Sequence, residues 1–487
     1  MAINIGLAEA ETRDHRLGTV ITYHGSASDL VKKSKNRELS NRSRCYSQCS
    51  DCSQGCAETT TYLIKGAATV VHSPIGCLNP INAHIGGEIV TKARGLEPQK
   101  ANVICTNISE EDTVYGGAAK IREAVLEAYN RFNPSTIFIH SSCAAGIIGD
   151  DIESEADELQ EELGIPIVPV YCEGFKSKTW ASGFDAAYHG ILRKIVQPPR
   201  KKDENLVNVF NFQGVDTFNP ILEKLGLKAN YLVPLASVDT IRYMSEAVCS
   251  THICETLGTY AAQVLEDEYD VPQLRAPSPY GIPWTDEWIR ELAKLTHREE
   301  LAEKVIAEEH TRIEPELNEL KKKLKGKRAY VMAGDTFAHN LANLARELGM
   351  ELVGVTTLHH DQLTDSGDDR MNSLKKLVDT GGDVESFSVC NKQPYQTIKL
   401  LQKAKPDILI TRHFNITVMG TKLGIPSVNE GDANISIGYD GILSFGHRVE
   451  EVLRSNKLLE NIKEHNRFPY TQWWMDQENP YYFEEEN

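Results

Sequence analysis

Hydrophobic positions come in two rhythms along this 487-residue chain. From about residue 60, short β-branched runs alternate with amphipathic stretches of helical period. "ATVVHSPIG" (68–76) predicts a buried strand entering a turn, and "AAKIREAVLEAYNRFNP" (118–134) a helix stopped by proline. "STIFIHSSC" (135–143) predicts a strand ending at Cys143, followed by a helix over 150–163 and a strand in "GIPIVPVYC" (164–172). "QPPRKKDEN" (197–205) has a linker's prolines and charges. The alternation then restarts with "LVNVFNFQG", a helix around "FNPILEKLG", and "LKANYLVPL". A long charged helical region over 285–325 leads to a third unit: "AYVMAG", "AHNLANLARELG", "MELVGVT", "KPDILITRH" and "LGIPSVN". Strands alternating with helices imply parallel sheets with right-handed crossovers. The expected fold class is therefore α/β, with three doubly wound, Rossmann-like domains.

The expected organisation is a polar leader over 1–44, α/β domains over 45–200, 201–325 and 326–460, and an aromatic, acidic tail over 461–487. Trp473, Trp474, Tyr481 and Tyr482 in that tail suit either a disordered end or packing on a partner. Ligands of such sheets sit beyond the carboxyl ends of strands, where Cys143, Cys172, Gly214 and Gly334 fall.

A formal charge of −17 argues against a broad nucleic-acid or anionic-membrane surface. The N-terminus lacks a long apolar run, and no stretch approaches the ~20 apolar residues of a membrane span. A cytoplasmic protein is expected. Eleven cysteines in a reducing compartment point to metal-binding thiolates rather than disulfides. No G-x4-GK[ST] or G-x-G-x-x-G motif appears, so neither ATP nor NAD binding by those loops is expected.

Four cysteines, Cys45, Cys49, Cys52 and Cys56, crowd into "RCYSQCSDCSQGC". The first three have the spacing radical-SAM enzymes use for an iron–sulfur cluster, and all four match the ligand count of a structural zinc site. A third reading joins distant cysteines. Cys77 closes "VVHSPIGC" and Cys143 precedes "AAGIIGDD", a helix opening whose free N–H groups favour thiolate and anionic sulfur. Two strand-end cysteines and one from the run would then converge on one face of a sheet.

"HSPIGC" (72–77), "NISEEDTVYGGAAKI" (107–121), "SSCAAGIIGDDIE" (141–153) and "IPIVPVYCEGF" (165–175) resemble the catalytic-component α subunits of nitrogenase and nitrogenase-like reductases. The resemblance runs from about residue 50 to 460. It implies an α2β2 heterotetramer with a homologous β subunit, served by a separate ATP-hydrolysing iron protein as electron donor. It also implies a subunit-bridging iron–sulfur cluster of P-cluster type, 8Fe–7S or 4Fe–4S, on three cysteines of this chain. Two of them map onto Cys77 and Cys143. The first maps onto Cys52, 25 positions before Cys77, with Cys56 at 21 positions as the alternate. A larger nitrogenase-type iron–sulfur cofactor is implied at Cys254, eighteen residues before Pro272.

Departures from the nitrogenase pattern shape the expected activity. The loop "GIPSVNEGDANISIGYDG" (424–441) lacks the histidine that is the cofactor's second ligand in nitrogenase, and offers only Glu430, Asp432 and Asn434. By the same resemblance, the substrate-side histidine, glutamine and lysine fall on Phe184, Trp180 and near Asn415. No catalytic side chain is assigned. Dinitrogen reduction is not expected. The pattern looks most similar to methylthio-alkane reductases, which cleave a carbon–sulfur bond of small thioethers and release methanethiol. A cofactor-assembly scaffold that holds and transfers an iron–sulfur precursor is the alternative.

Overall fold

The computed structural model describes residues 16–40, 52–78, 87–88, 91–93, 95–177, 180–211, 216–232, 236–365, 368–390, 394–431, 434–454 and 456–481. Cys45, Cys49, Gly214, Asp432 and Tyr482 lie outside the described residues. The chain divides into two compact units. One comprises residues 1–17, 50–274 and 292–298, and the other 18–49, 275–291 and 299–487.

The first unit holds two parallel sheets. In the larger, Val103–Cys105, Ala67–His72, Thr136–Ser141 and Ile167–Tyr171 lie side by side in that order. Every residue of Ala67–His72 and Thr136–Ser141 is buried, as a parallel sheet covered on both faces requires. The helices Ala118–Phe132 and Ile152–Leu163 pack Ile121, Val125, Ala156 and Leu159 against Val70, Ile137, Ile139 and Ile167. The first of these helices ends at Asn133, whose left-handed backbone breaks it just before the proline. Register places His72 beside Ser141, and Ser141 beside Tyr171. Three strands therefore end together, and the turns that follow them share one edge.

The smaller sheet has the order Lys228–Leu232, Asp203–Phe210, Ala247–His252. Part of the sequence expected to be linker, from Asp203, already belongs to its central strand. Helix Glu255–Tyr269 leaves the carboxyl end of Ala247–His252, and helix Ser182–Lys194 packs beside it.

The second unit carries a six-stranded sheet in the order Ser427–Asn429, Ile408–Thr411, Arg328–Ala333, Glu351–Thr357, Phe387–Cys390, Thr22–Gly25. Five of its strands run parallel. The edge strand Thr22–Gly25 is antiparallel and comes from the stretch expected to be leader, where helix Ala27–Lys35 follows it. The aromatic tail packs on this unit. Tyr395 meets Tyr470 and Trp474 edge-on at 5.7 and 5.4 Å, and Tyr481 stacks on His24 at 4.1 Å. The Tyr395 hydroxyl also donates to the Trp474 carbonyl at 3.0 Å. The charged region near 285–325 is two helices, Ile282–Thr296 and Glu299–Leu324, broken at His297 where φ is +55°. Among the described residues, no helix is long and apolar enough to cross a membrane.

Candidate functional site

Cys52, Cys77 and Cys143 each sit where an element begins or ends. Cys52 is the N-cap of helix Ser53–Thr61, Cys77 closes the short 3-10 turn Ile75–Cys77, and Cys143 is the first residue of helix Cys143–Ile148. The strand predicted to run into Cys143 stops at Ser141, because Ser142 caps the helix by accepting the Ala145 amide. Cys52 and Cys77 are exposed and Cys143 is partly so.

Gly174 brings Cys52 and Cys143 together. A Cβ added there would lie 3.1 Å from the Cys52 Cβ, 3.8 Å from the Cys143 sulfur and 3.9 Å from the Cys52 sulfur. The Phe175 amide donates to Cys143 Sγ at 3.3 Å. Burial raises the Cys52 pKa against the opposing pull of the Gly55 and Gln54 amides at the helix start. Cys77 is raised first by burial and then by the neighbouring Cys143 and Cys52. Thiols this close together are a set whose ionisation a shared metal centre would favour.

Cys56 occupies a different place. It is buried in the seam where helix Ser182–Lys194 crosses Ser53–Thr61, with Gly183 so close that an added Cβ would fall 2.9 Å from the Cys56 Cβ. Burial drives its pKa well up. Cys172 is buried too, its thiol donating to the Ser141 carbonyl at 3.4 Å.

Two neighbours were not singled out from the sequence. Cys105 ends Val103–Cys105, and its thiol donates to the Ser73 carbonyl at 3.3 Å, in the turn that leads to Cys77. The strand-end rule that marks Cys143 marks Cys105 as well. Glu58 is buried, and Gln54 bridges it to the cysteine turn, donating to Glu58 Oε1 at 2.9 Å and to the Cys77 carbonyl at 3.2 Å. Burial pushes the Glu58 carboxyl up to about 7. Nothing in the local sequence signals its burial.

Cys254 lies in the same unit, buried, as the N-cap of helix Glu255–Tyr269. Its carbonyl starts the helix by accepting the Leu257 and Gly258 amides. The segment around Pro272 returns beside it, since the Ser250 amide donates to the Pro272 carbonyl at 2.9 Å. His252 is also buried there, within 3.0 Å of Gln273 Nε2, and burial lowers its pKa to about 4. Arg16 clamps the flanking helices together, donating to both Asp185 oxygens at 2.6 and 3.0 Å and to Thr259 Oγ1 at 2.8 Å. Trp180 and Phe184 meet edge-on at 6.0 Å, and Phe184 is buried.

In the second unit, the described donors of the 424–441 loop, Glu430 and Asn434, are engaged. The fully buried Glu430 carboxylate accepts from Ser436 Oγ at 2.9 Å and from Arg448 Nη2 at 2.7 Å. Asn434 Oδ1 accepts the Gly431 amide at 2.7 Å.

Comparison with known proteins adds to this geometry. The family model described as nitrogenase component 1 type oxidoreductase matches residues 52–454. The chain is 28% identical over 407 residues to the nitrogenase molybdenum-iron protein alpha chain of Methanothermobacter marburgensis, covering 80% of this chain and 84% of that one. It is 27% identical over 433 residues to the nitrogenase iron-molybdenum cofactor biosynthesis protein NifE of a Nostoc species, covering 86% of each. A solved structure titled nitrogenase Cp1 at pH 5 shares the fold with a TM-score of 0.71 at 22% identity, over 89% of this chain and 92% of that one. With a match across four-fifths of its sequence, this chain belongs to the nitrogenase component 1 type oxidoreductase family.

Proposed function

We propose that this chain is the α subunit of a nitrogenase-like reductase that cleaves a carbon–sulfur bond of small methylthio-alkanes. Cys52, Cys77 and Cys143 would hold a bridging iron–sulfur cluster shared with a homologous β subunit, and Cys254 a larger iron–sulfur cofactor. Thiolates are the soft donors such groups need, and helix N-termini at Cys52, Cys143 and Cys254 favour their negative charge. Bound iron–sulfur groups would supply electron storage and transfer.

The observation that carries the proposal is the apolar rim around the three thiols. Ile75, in the Cys77 turn, is 61% exposed, and Ile147, on the Cys143 helix, is 73% exposed. Phe175, whose amide reaches Cys143, is 81% exposed. Val114 and Tyr115 project from helix Glu110–Tyr115, which packs beside the Cys143 helix. A ring of exposed apolar side chains around metal-ligating thiols suits a cluster completed by a second protein surface. Bulky Phe184, on the helix packed against the one that Cys254 caps, and Trp180, in the turn before it, favour an apolar substrate over dinitrogen.

The reaction for the simplest thioether balances as dimethyl sulfide plus two electrons and two protons giving methane and methanethiol. The test is anaerobic turnover of the complex with iron protein, ATP and dimethyl sulfide. Equal amounts of methane and methanethiol, formed only with ATP, are expected, and Cys254→Ala should abolish both while leaving the bridging cluster's paramagnetic signal.

One observation favours the scaffold reading. Glu430 is held by Arg448 of the following helix and Asn434 by the Gly431 amide, which suits a chain that holds a precursor through one thiolate and releases it. Similarity to the Nostoc NifE protein points the same way. Transfer of iron–sulfur cofactor to an apo-protein, with no thioether turnover, would replace the reductase reading with this one.

A further inference from the structure

We propose that Asp335, His359 and Asp361 form a mononuclear site for a divalent first-row transition-metal ion, with no cysteine among its ligands. The three residues lie at the carboxyl edge of the six-stranded sheet in the second unit. Asp335 follows strand Arg328–Ala333 and opens helix Asp335–Glu347. His359 follows strand Glu351–Thr357, and Asp361 lies in the short strand His360–Asp361 that pairs with Thr19–Val20. One donor atom from each residue falls within 4.8 Å of the other two. All three are at least 94% buried, with 6% of Asp335 and 2% of His359 and Asp361 exposed.

The second observation is a buried carboxylate oxygen that accepts no hydrogen bond. Asp335 Oδ2 accepts the Asp361 amide at 3.0 Å, but buried Oδ1 has no hydrogen-bond partner. Around Oδ1 stand the His360 Nδ1 at 3.4 Å and the His339 Nε2 at 3.7 Å, the latter also buried without a hydrogen bond. Each of those rings is held from its far side: His360 Nε2 is 2.7 Å from Ser34 Oγ and His339 Nδ1 is 2.9 Å from Ser373 Oγ. Asp361 Oδ1 is fixed by Thr19 Oγ1 at 2.6 Å and lies 3.1 Å from His359 Nδ1. Two buried carboxylates thus meet His339, His359 and His360 in ion pairs and a threonine hydroxyl in a hydrogen bond. Two carboxylates buried this close together are held most favourably by a shared cation. Two ligand atoms bound at ~2.0–2.2 Å can stand no more than about 4.4 Å apart. Closing the present separation takes a shift of a few tenths of an ångström. A carboxylate and imidazole donor set suits manganese or iron(II) rather than a soft ion that requires thiolate.

Mn(II) is the probe, because carboxylate and imidazole bind it and thiolates do not compete for it. The full-length chain, isolated anaerobically and treated with chelator, is titrated with Mn(II) while the free-ion paramagnetic signal is followed. One Mn(II) per chain should disappear from solution, with a rise in the thermal unfolding midpoint. Asp335→Asn and Asp361→Asn should each weaken uptake at least tenfold, while Cys254→Ala and Cys52→Ala leave it unchanged. Thr19→Val keeps all three ligands and should weaken uptake less than either ligand substitution does, which covers the case of a ligand variant that fails to fold. A folded wild-type chain that takes up no Mn(II), or uptake unaltered in a folded Asp335→Asn/Asp361→Asn double variant, overturns the site and leaves an internal hydrogen-bonded ion network.

Discussion

Gly183→Ala tests whether the seam between two helices sets the position of Cys52. Gly183 is the second residue of helix Ser182–Lys194, and its backbone lies directly against Ser53–Thr61. A Cβ there would fall 1.9 Å from the Ser53 carbonyl oxygen, 2.8 Å from its carbon and 2.9 Å from the Cys56 Cβ. Backbone cannot rotate away as a side-chain tip can, so reaching ordinary contact requires the helices to part by over an ångström. Overpacking typically costs about 1–3 kcal/mol, and a backbone contact this close falls at the upper end. Cys52 caps the displaced helix and moves with it. Metal–sulfur distances tolerate only about 0.2 Å, so the bridging site should lose its cluster before the fold is lost. Gly55→Ala is the matched control. It lies on the same helix with nothing within 4 Å of an added Cβ, and should stabilise by about 0.5–1 kcal/mol. The assay is iron content and the reduced-cluster paramagnetic signal, read beside thermal unfolding for both variants. A Gly183→Ala protein with wild-type iron and an unchanged unfolding midpoint would refute the reasoning.

Cys52→Ala should remove the bridging-cluster signal, whereas Cys56→Ala, which empties a buried seam, should keep the signal and lower stability by about 1–2 kcal/mol; equal loss of signal in both would reassign the ligand. The raised Glu58 pKa gives a pH-dependent prediction. Burial lifts it from 4.5 to about 7, so the folded chain binds the extra proton and stability falls as pH rises from 4.5 to 7, then levels. Glu58→Gln should flatten that window and stabilise the protein at pH 8 by up to about 3 kcal/mol, as urea unfolding at pH 5 and 8 will show. Arg448→Met leaves the fully buried Glu430 carboxylate without its cation and should cost about 3–5 kcal/mol, a loss that the further change Glu430→Gln partly restores in a double-mutant cycle.

Many central strands of the parallel sheets were legible because a two-faced core demands apolar runs such as "IFI", whereas the short or more polar Val103–Cys105, Ala247–His252 and Phe387–Cys390 were not. Thr22–Gly25 was not legible. It is a polar edge strand whose partner, Phe387–Cys390, is over 350 residues away, and only that pairing makes it a strand. The family resemblance narrowed the proposed bridging ligand to Cys52 or Cys56, but spacing carries no information about which face of a helix meets another helix. The close approach at Gly183 buries Cys56 and leaves Cys52 at the open end. Likewise Glu430 looked like a donor in a loop until Arg448, a full helix further on, claimed its oxygens. The Asp335, His359 and Asp361 cluster makes the physical reason plain. The rule that picked out Cys143, chemistry just beyond the carboxyl end of a strand, applies equally to Asp335 and His359. What the rule lacks is register. Ala333 pairs with Thr357, so the residues two beyond each, Asp335 and His359, leave the sheet side by side. A one-residue slip would send one of them to the opposite face. Sequence pattern therefore names the strand-end residues able to do chemistry, and register decides which of them meet.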